Sequence, residues 1–316
     1  MGCGVPPHVK STQGRQNAAQ HAPPVRNGVG PSLVGLPNGP WATVLDFLAE
    51  RFTAIPRADW VQRMASGLVV NFAGQPVAPN APYQAHTRLF YYREVQAEAP
   101  IHAEATILFQ DKHLLVADKP HFLPTVPGGQ YLTQTLLVKL KQQLGIDSLA
   151  PLHRLDRETA GITLFALRPE DRNAYHALFR DRLVTKYYEA IAPARPDLVF
   201  PRVHRSCMAQ GEPFFRFCEA EGEVNSETEM CVLEQRGAWA RYGLAPHTGK
   251  RHQLRVHMAA IGAPIRNDRF YPVVDNSPED MEQPLQLLAR AVHFIDPVTG
   301  EPRSFQSTRR LMLPDA

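Results

Sequence analysis

Hydrophobic patterning predicts an α+β protein, a mixed or antiparallel sheet flanked by helices, preceded by a small α+β module. Three observations carry the prediction. Short β-rich apolar runs bounded by turn residues, such as residues 162–167, recur along the chain and dominate from about 186 to 247. Helical stripes separate them, the longest being Leu132, Leu136, Leu137, Leu140 and Leu144. The 316 residues have room for one large domain and a smaller one.

Residues 1–40 contain no Asp or Glu and are rich in Pro, Gly and Asn, with scattered Lys10, Arg15 and Arg26. Without hydrophobic periodicity they read as a disordered, weakly basic tail. Residues 41–98 form the small module. Val44, Leu45, Leu48 and Phe52 follow helical spacing. Pro56 suits the start of a second helix with Asp59 in its first turn, Trp60 and Met64 as its apolar stripe and Gly67 as its stop. Residues 68–71 and 89–92 read as short strands joined through the turn-rich stretch 74–82.

Residues 99–316 form the larger domain. Residues 106–109 and 113–117 read as a hairpin, and the leucine stripe that follows ends at Gly145. A further helix starts at Pro169, carries Glu170 and Asp171 in its first turn, and turns Tyr175, Leu178, Phe179 and Leu183 inward. Leu254, Met258 and Ile261 mark a last helix closed by Gly262. Arg255 lies about 100° round from Leu254, at the border of that stripe.

A hydrophobic content of 44% and a charged content of 21% are ordinary for a globular protein. The net charge of +3 permits a nucleic-acid partner without demanding one. No apolar run approaches the roughly 18 residues of a membrane span, and no charged start with an apolar stretch marks a signal peptide. The opening Met1-Gly2-Cys3-Gly4-Val5-Pro6 has proline where a myristoylation start wants Ser or Thr. Cys3, Cys207, Cys218 and Cys231 are too few and too far apart for a Cys-x-x-Cys metal site. They read as reduced thiols of a cytoplasmic protein, three of them packing residues. His247, His252 and His257 are spaced by five and cannot share a helix face, so no metal is expected.

Three segments hold chemistry-bearing residues. In His153-Arg154-Leu155-Asp156-Arg157-Glu158-Thr159-Ala160-Gly161-Ile162, an acid lies on a loop feeding an apolar strand, and Gly161 permits a tight or positive-φ turn. Alone, this could be a surface turn with Asp156 paired to Arg154 or Arg157. In Val184-Thr185-Lys186-Tyr187-Tyr188-Glu189-Ala190, a strand would put Lys186 and Tyr188 on one face and Tyr187 on the other. Alone, the tyrosine pair reads as core packing. The stretch from Pro246 to Met258 could, by itself, be a basic helix face.

As a block, residues 153–162 resemble the catalytic motif of RNA pseudouridine synthases of the RluA family, which runs His-Arg-Leu-Asp, two variable residues, Thr-Ser-Gly and an aliphatic residue. Ala160 stands where serine is usual. Residues 247–257 resemble the family's His-Thr-Gly-Arg-x-His-Gln-Leu-Arg-x-His block, with Lys250 for its first arginine, keeping charge but losing the bidentate fork. Residues 186–188 match its Lys-x-Tyr. Residues 262–271 resemble Gly-x-Pro-Ile-x-Gly-Asp-x-x-Tyr with Asn267 for glycine, a residue that tolerates the left-handed conformation. Arg290 stands where a histidine is common. Helix, turn, helix, Gly67 and Val-x-Asn also resemble a small RNA-binding module first seen in a ribosomal protein, with Arg57 and Arg63 at its RNA-facing positions.

The resemblance implies a pseudouridine synthase fold and the isomerisation of specific uridines in structured ribosomal or transfer RNA. Asp156 would be the nucleophile and Arg255 its cationic partner. Tyr188, supported by Lys186, would stack on the flipped uracil and transfer a proton. Arg154 would fill the gap that the base leaves, although the sequence alone equally allows a phosphate contact, with His153 and Thr159 also at the substrate. The isomerisation breaks a carbon–nitrogen glycosidic bond and rejoins uracil through carbon 5. Nothing is oxidised and no group enters or leaves, so no cofactor is required. A carboxylate kept ionised in a water-excluding pocket needs a cation beside it. A monomer is expected. Two other functions stay open: a retaining glycosidase or nucleosidase, with Glu158 as second carboxylate about 5 Å away, and a non-catalytic RNA-binding protein.

Overall fold

The structure, a computed structural model, describes residues 23–94 and 98–314. The chain start and Cys3 lie outside the described residues. The chain divides into two compact units between Ala97 and Glu98.

The first unit contains β1 (Ser32–Gly35), α1 (Val44–Arg51), α2 (Arg57–Ala65), β2 (Val69–Asn71) and β3 (Arg88–Tyr91). Helix α1 starts in a capping box: the Thr43 hydroxyl accepts the Asp46 N–H and the Asp46 carboxylate accepts the Thr43 N–H. Phe47, Leu48, Trp60 and Met64 pack with Val69 and Leu89 into one core. The sequence puts residues 32–35 in an unstructured tail ending at 40; instead they form β1, antiparallel to β3 from Ser32–Tyr91 to Gly35–Arg88. A stretch rich in Gly and Pro has no local strand signal. The partner strand supplies its hydrogen bonds, and buried Leu36 anchors its end.

The second unit contains β4 (Thr106–Gln110), β5 (Leu114–Lys119), α3 (Leu136–Leu144), β6 (Ala150–Pro151), β7 (Ala160–Ala166) and α4 (Arg172–Arg180). There follow β8 (Thr185–Pro193), β9 (Arg202–Gln210), β10 (Phe217–Ala220), β11 (Ser226–Arg236), β12 (Trp239–Pro246), α5 (Gln253–Ala260), β13 (Leu287–Ile295) and β14 (Pro302–Gln306). They build an 11-stranded mixed sheet, ordered β10-β9-β11-β12-β8-β13-β7-β5-β4, with β14 on β13 and β6 on β7. The pairing of β13 with β7 is parallel, and the others are antiparallel. The architecture is α+β, a mixed sheet flanked by helices, as the patterning predicts.

Strand β5 is buried along its length because helices cover both faces. Leu115 packs with Leu136 and Leu140 of α3, and Leu114 with Tyr175 and Leu178 of α4. Helix α5 packs Leu254 and Met258 against Ala190, Tyr242 and Leu244. Leu183, expected on the inner face of α4, is 62% exposed. The helix ends at Arg180 and Arg182 takes φ +59°, so helical spacing no longer governs residue 183. Among the described residues, no helix is long and apolar enough to cross a membrane.

Candidate active site

A cavity of about 900 Å³ opens in the second unit where the His153–Thr159 loop, β8 and the start of α5 converge. Asp156 is the one carboxylate in its lining among the described residues. Eight cationic side chains surround it, including Arg154, Arg182, Lys186, Lys250, Arg251 and Arg255. Such a pocket suits a polyanion carrying a neutral group to be processed.

Backbone contacts fix the Asp156 loop. The Thr125 hydroxyl donates to the Leu155 carbonyl at 2.8 Å and accepts the Leu155 N–H. His121 Nδ1 donates to the Glu158 carbonyl at 2.6 Å, and the Thr159 N–H to the Asp156 carbonyl at 3.2 Å. Buried Lys119 donates to the carbonyls of Pro120, Leu123 and Arg157, using all three N–H groups. Burial pushes this ammonium down to about 7, while Glu158 and Asp156 pull it up. The loop enters β7 at Gly161, which adopts φ +114° beside the parallel pair with β13. A Cβ there would stand 2.3 Å from the Ala289 carbonyl oxygen.

Arg255 is buried under that loop and is 1% exposed, not at a helix border. Its Nε and Nη2 donate to the two carboxylate oxygens of Asp268, each at 2.7 Å. Nη1 has no hydrogen-bond partner and lies 3.5 Å from Asp156 Oδ2 and 3.8 Å from Glu158 Oε2. The guanidinium is therefore anchored on one edge and presents a cationic N–H to the Asp156 carboxylate on the other. Asp268 follows Asn267, which takes φ +62° and so keeps the turn that glycine would make.

Strand β8 places Lys186 and Tyr188 in the cavity wall and leaves Tyr187 outside, 46% exposed. Lys186 Nζ donates to the Thr248 carbonyl at 3.1 Å, and burial together with Arg182 pushes its ammonium down to about 8. Burial, and secondarily the Asp156 charge, pushes the Tyr188 phenol up from its ordinary value, so it is a neutral hydroxyl at pH 7. His153 also lines the cavity; its Nε2 accepts the Leu164 N–H and burial pushes it down to about 3. It is a neutral wall stacked on Phe179 at 4.9 Å. Thr159 is buried in the lining, and Arg154 is exposed at the mouth.

The cavity thus brings together Asp156, Tyr188, Arg255, Arg154, Thr159, Lys186 and His153. Two neighbours escaped sequence reasoning. Asp268 carried a signal in the turn following the Gly262-x-Pro264-Ile265 run, but its partner could not be read from spacing. His252 takes φ +58° and puts Nε2 3.8 Å from Asp156 Oδ2, while Nδ1 bonds the Tyr271 hydroxyl at 2.9 Å. Burial pushes it down to about 4, leaving it neutral.

Two departures from the family pattern have local explanations. Ala160 is fully buried among Ile191, Leu288, Leu311 and Leu313, where a hydroxyl would be enclosed by hydrocarbon. Arg290 pairs with Glu189 at 3.3 Å and donates to the carbonyls of Ser307 and Arg309. Of the cysteines, Cys207 and Cys231 are partly buried, whereas Cys218 is exposed rather than packed. Among the described residues, His204, Glu219 and His257 could hold a metal ion by proximity. Hydrogen bonds already engage this group: His204 Nε2 bonds Glu219, and His257 bonds the hydroxyls of Ser206, Ser226 and Thr228.

Residues 113–260 match the family model for RNA pseudouridylate synthase. An uncharacterized RNA pseudouridine synthase of Synechocystis is 30% identical over 233 residues, covering 72% of this chain and 79% of that protein. The dual-specificity RNA pseudouridine synthase RluA of Haemophilus influenzae is 32% identical over 217 residues, covering 67% of this chain and 97% of that protein. In structure, the human RNA pseudouridylate synthase domain containing 4 aligns with a TM-score of 0.51 at 26% identity, covering 65% of this chain and 88% of the other. A second human protein, domain containing 1, shares the fold with a TM-score of 0.55 at 22% identity. The fold and the matches define an RNA pseudouridine synthase, an isomerase. Within that class the chain belongs to the RluA family.

Proposed function

We propose that the enzyme flips a specific uridine of structured ribosomal or transfer RNA into this cavity and isomerises it with Asp156 as nucleophile. The observation that carries the reading is the lone Asp156 carboxylate facing Arg255 Nη1 at 3.5 Å within a cationic lining. The cationic mouth would hold phosphates, and Arg154 would stack in the gap left by the flipped base, an extrusion that costs a few kcal/mol. Asp156 attacks the substrate and the glycosidic bond breaks; the uracil turns and carbon 5 joins the sugar. The carboxylate then leaves unchanged. Arg255 holds that carboxylate in place and balances its charge. Tyr188 stacks on the uracil and, as a neutral hydroxyl, relays the proton lost from carbon 5 to solvent, while nitrogen 1, freed from the sugar, takes up a proton. Lys186 neutralises a nearby phosphate, Thr159 supports the loop, and His153 forms the apolar wall.

We assign residues 41–98 to RNA binding, with Arg57 and Arg63 as contacts, and residues 99–316 to catalysis. Arg57 bonds Asp46 at 2.7 Å and Arg63 covers the Trp60 ring, so each is already oriented. The thiols at Cys207, Cys218 and Cys231 suit a reducing compartment, and we place the enzyme in the cytoplasm as a monomer.

The test is tritium release from transcribed transfer and large-subunit ribosomal RNAs labelled at carbon 5 of uridine. Release by the wild type and none by Asp156→Ala is expected. Equal release by both would overturn the nucleophile; RNA binding without release by the wild type would favour a binding-only protein.

A further inference from the structure

We propose that the hairpin between β9 and β10 is a stacking platform for an unpaired RNA base beside the isomerised uridine, an inference that rests on the function proposed above. Phe214 stands at the hairpin tip with 73% of its surface exposed. Its ring begins a continuous line of rings running inward. Phe214 meets Phe215 at 5.7 Å, Phe215 meets Phe270 at 5.0 Å, and Phe270 meets His252 at 5.9 Å. His252 lines the catalytic cavity, 3.8 Å from the Asp156 carboxylate. An exposed ring at the outer end of this line would seat a base in register with a nucleotide in the cavity.

The hairpin is held rather than loose. The Arg216 N–H donates to the Pro213 carbonyl at 2.8 Å, the Gly211 N–H to the Arg216 carbonyl at 3.0 Å, and Gln210 Nε2 to the Phe214 carbonyl at 3.1 Å. Its base is tied to the active site through Tyr271, whose hydroxyl accepts the Phe217 N–H at 2.8 Å and bonds His252 Nδ1 at 2.9 Å. Arg216 lies over the Tyr271 ring at 5.0 Å and donates to the Pro272 carbonyl. A preset platform loses little conformational freedom on binding.

The surrounding charge selects the occupant. Arg251 lies over the Phe217 ring at 5.7 Å and lines the cavity, so it and Arg216 offer guanidinium groups along the same path, against Glu212 before the tip. Aromatic rings with arginines beside them suit a nucleic acid strand, whose bases stack while its phosphates pair. One exposed ring is far less than the roughly 800 Å² that each partner buries in a stable protein complex.

The test compares Phe214→Ala, Phe214→Leu and Phe214→Trp with the wild type in tritium release from the same transcribed RNAs. Phe214 is exposed, so all three variants should fold. The Ala and Leu variants are expected to raise KM roughly 10-fold with kcat unchanged, the range lost when a base loses its aromatic support. The Trp variant should match the wild type, and the emission of its new indole should be quenched by RNA. Wild-type KM in the Ala variant, or full rescue by Leu, would overturn the platform and leave the isomerase standing. No release by the wild type on any of these RNAs would instead remove the proposed function, and the platform with it.

Discussion

Arg255 faces Asp156 because Asp268 holds its other edge: two 2.7 Å bonds to the Asp268 carboxylate aim the third guanidinium nitrogen at Asp156. The Asp268 side chain is fully buried and also accepts the N–H groups of Phe270 and Tyr271. A planar fork can satisfy one carboxylate while facing another; an ammonium cannot.

Asp268→Asn is therefore expected to weaken catalysis without touching a reacting group. It keeps the side-chain shape but removes the charge that compensates the buried guanidinium. A stability loss of about 1–3 kcal/mol and at least a 10-fold fall in single-turnover rate are expected. Arg255→Lys should cost roughly 100-fold in rate, the scale of one lost electrostatic donor. Urea denaturation and rapid-quench tritium release measure the two effects. An Asn variant as fast as the wild type would mean that Asp268 does not position Arg255.

Restoring the family's usual serine at position 160 should harm the protein. Ala160 has no exposed surface and is covered by Leu311 and Leu313 as well as by Ile191 and Leu288. A hydroxyl enclosed there costs about 1–3 kcal/mol. Ala160→Ser is expected to melt several degrees lower in a calorimeter while keeping its activity at low temperature. A serine variant of equal or greater stability would refute this explanation of the departure.

Gly161→Ala should fail more completely. The φ of +114° is unfavourable for any residue with a Cβ, and the added carbon would collide with the backbone of Ala289 rather than with a movable side chain. Loss of the near-ultraviolet circular dichroism of the folded protein is expected. A folded Ala variant would contradict the close parallel approach of β7 and β13.

The residues that gather in the cavity were legible because they sit in short blocks of fixed spacing. Alternation correctly separated Lys186 and Tyr188 from Tyr187, since a strand of period two needs no tertiary knowledge. The hairpin of β4 and β5 was legible as two short β-rich runs around the turn residues 110–112. The burial of Arg255 was not. Residues 253–258 of α5 are all buried, so no polar face remains to define a border, and a three-residue stripe could only place Arg255 at an edge. Asp268 and His252 were missed as neighbours of the site because their positions depend on left-handed residues, Asn267 and His252 itself. Strand β1 was missed because its stabilising partner, β3, lies more than fifty residues away.

Lys186 should make RNA binding depend on pH. Burial and Arg182 lower its ammonium to about 8 in the folded protein, against an ordinary value of 10.5. The side chain thus loses its charge as pH rises through about 8, and RNA affinity should fall between pH 7 and pH 9 at fixed salt. The salt dependence should lose about one phosphate's share over the same interval. Stability moves in the opposite direction. The unfolded chain holds the proton up to about 10.5 and the folded one releases it near 8, so unfolding free energy rises with pH through this window. The burial cost is fully present below about 8 and gone above 10.5. Lys186→Met should bind weakly at every pH and lose both trends, as read by fluorescence anisotropy with labelled transfer RNA and by urea melts. An unchanged pH profile in the Met variant would show that another group titrates.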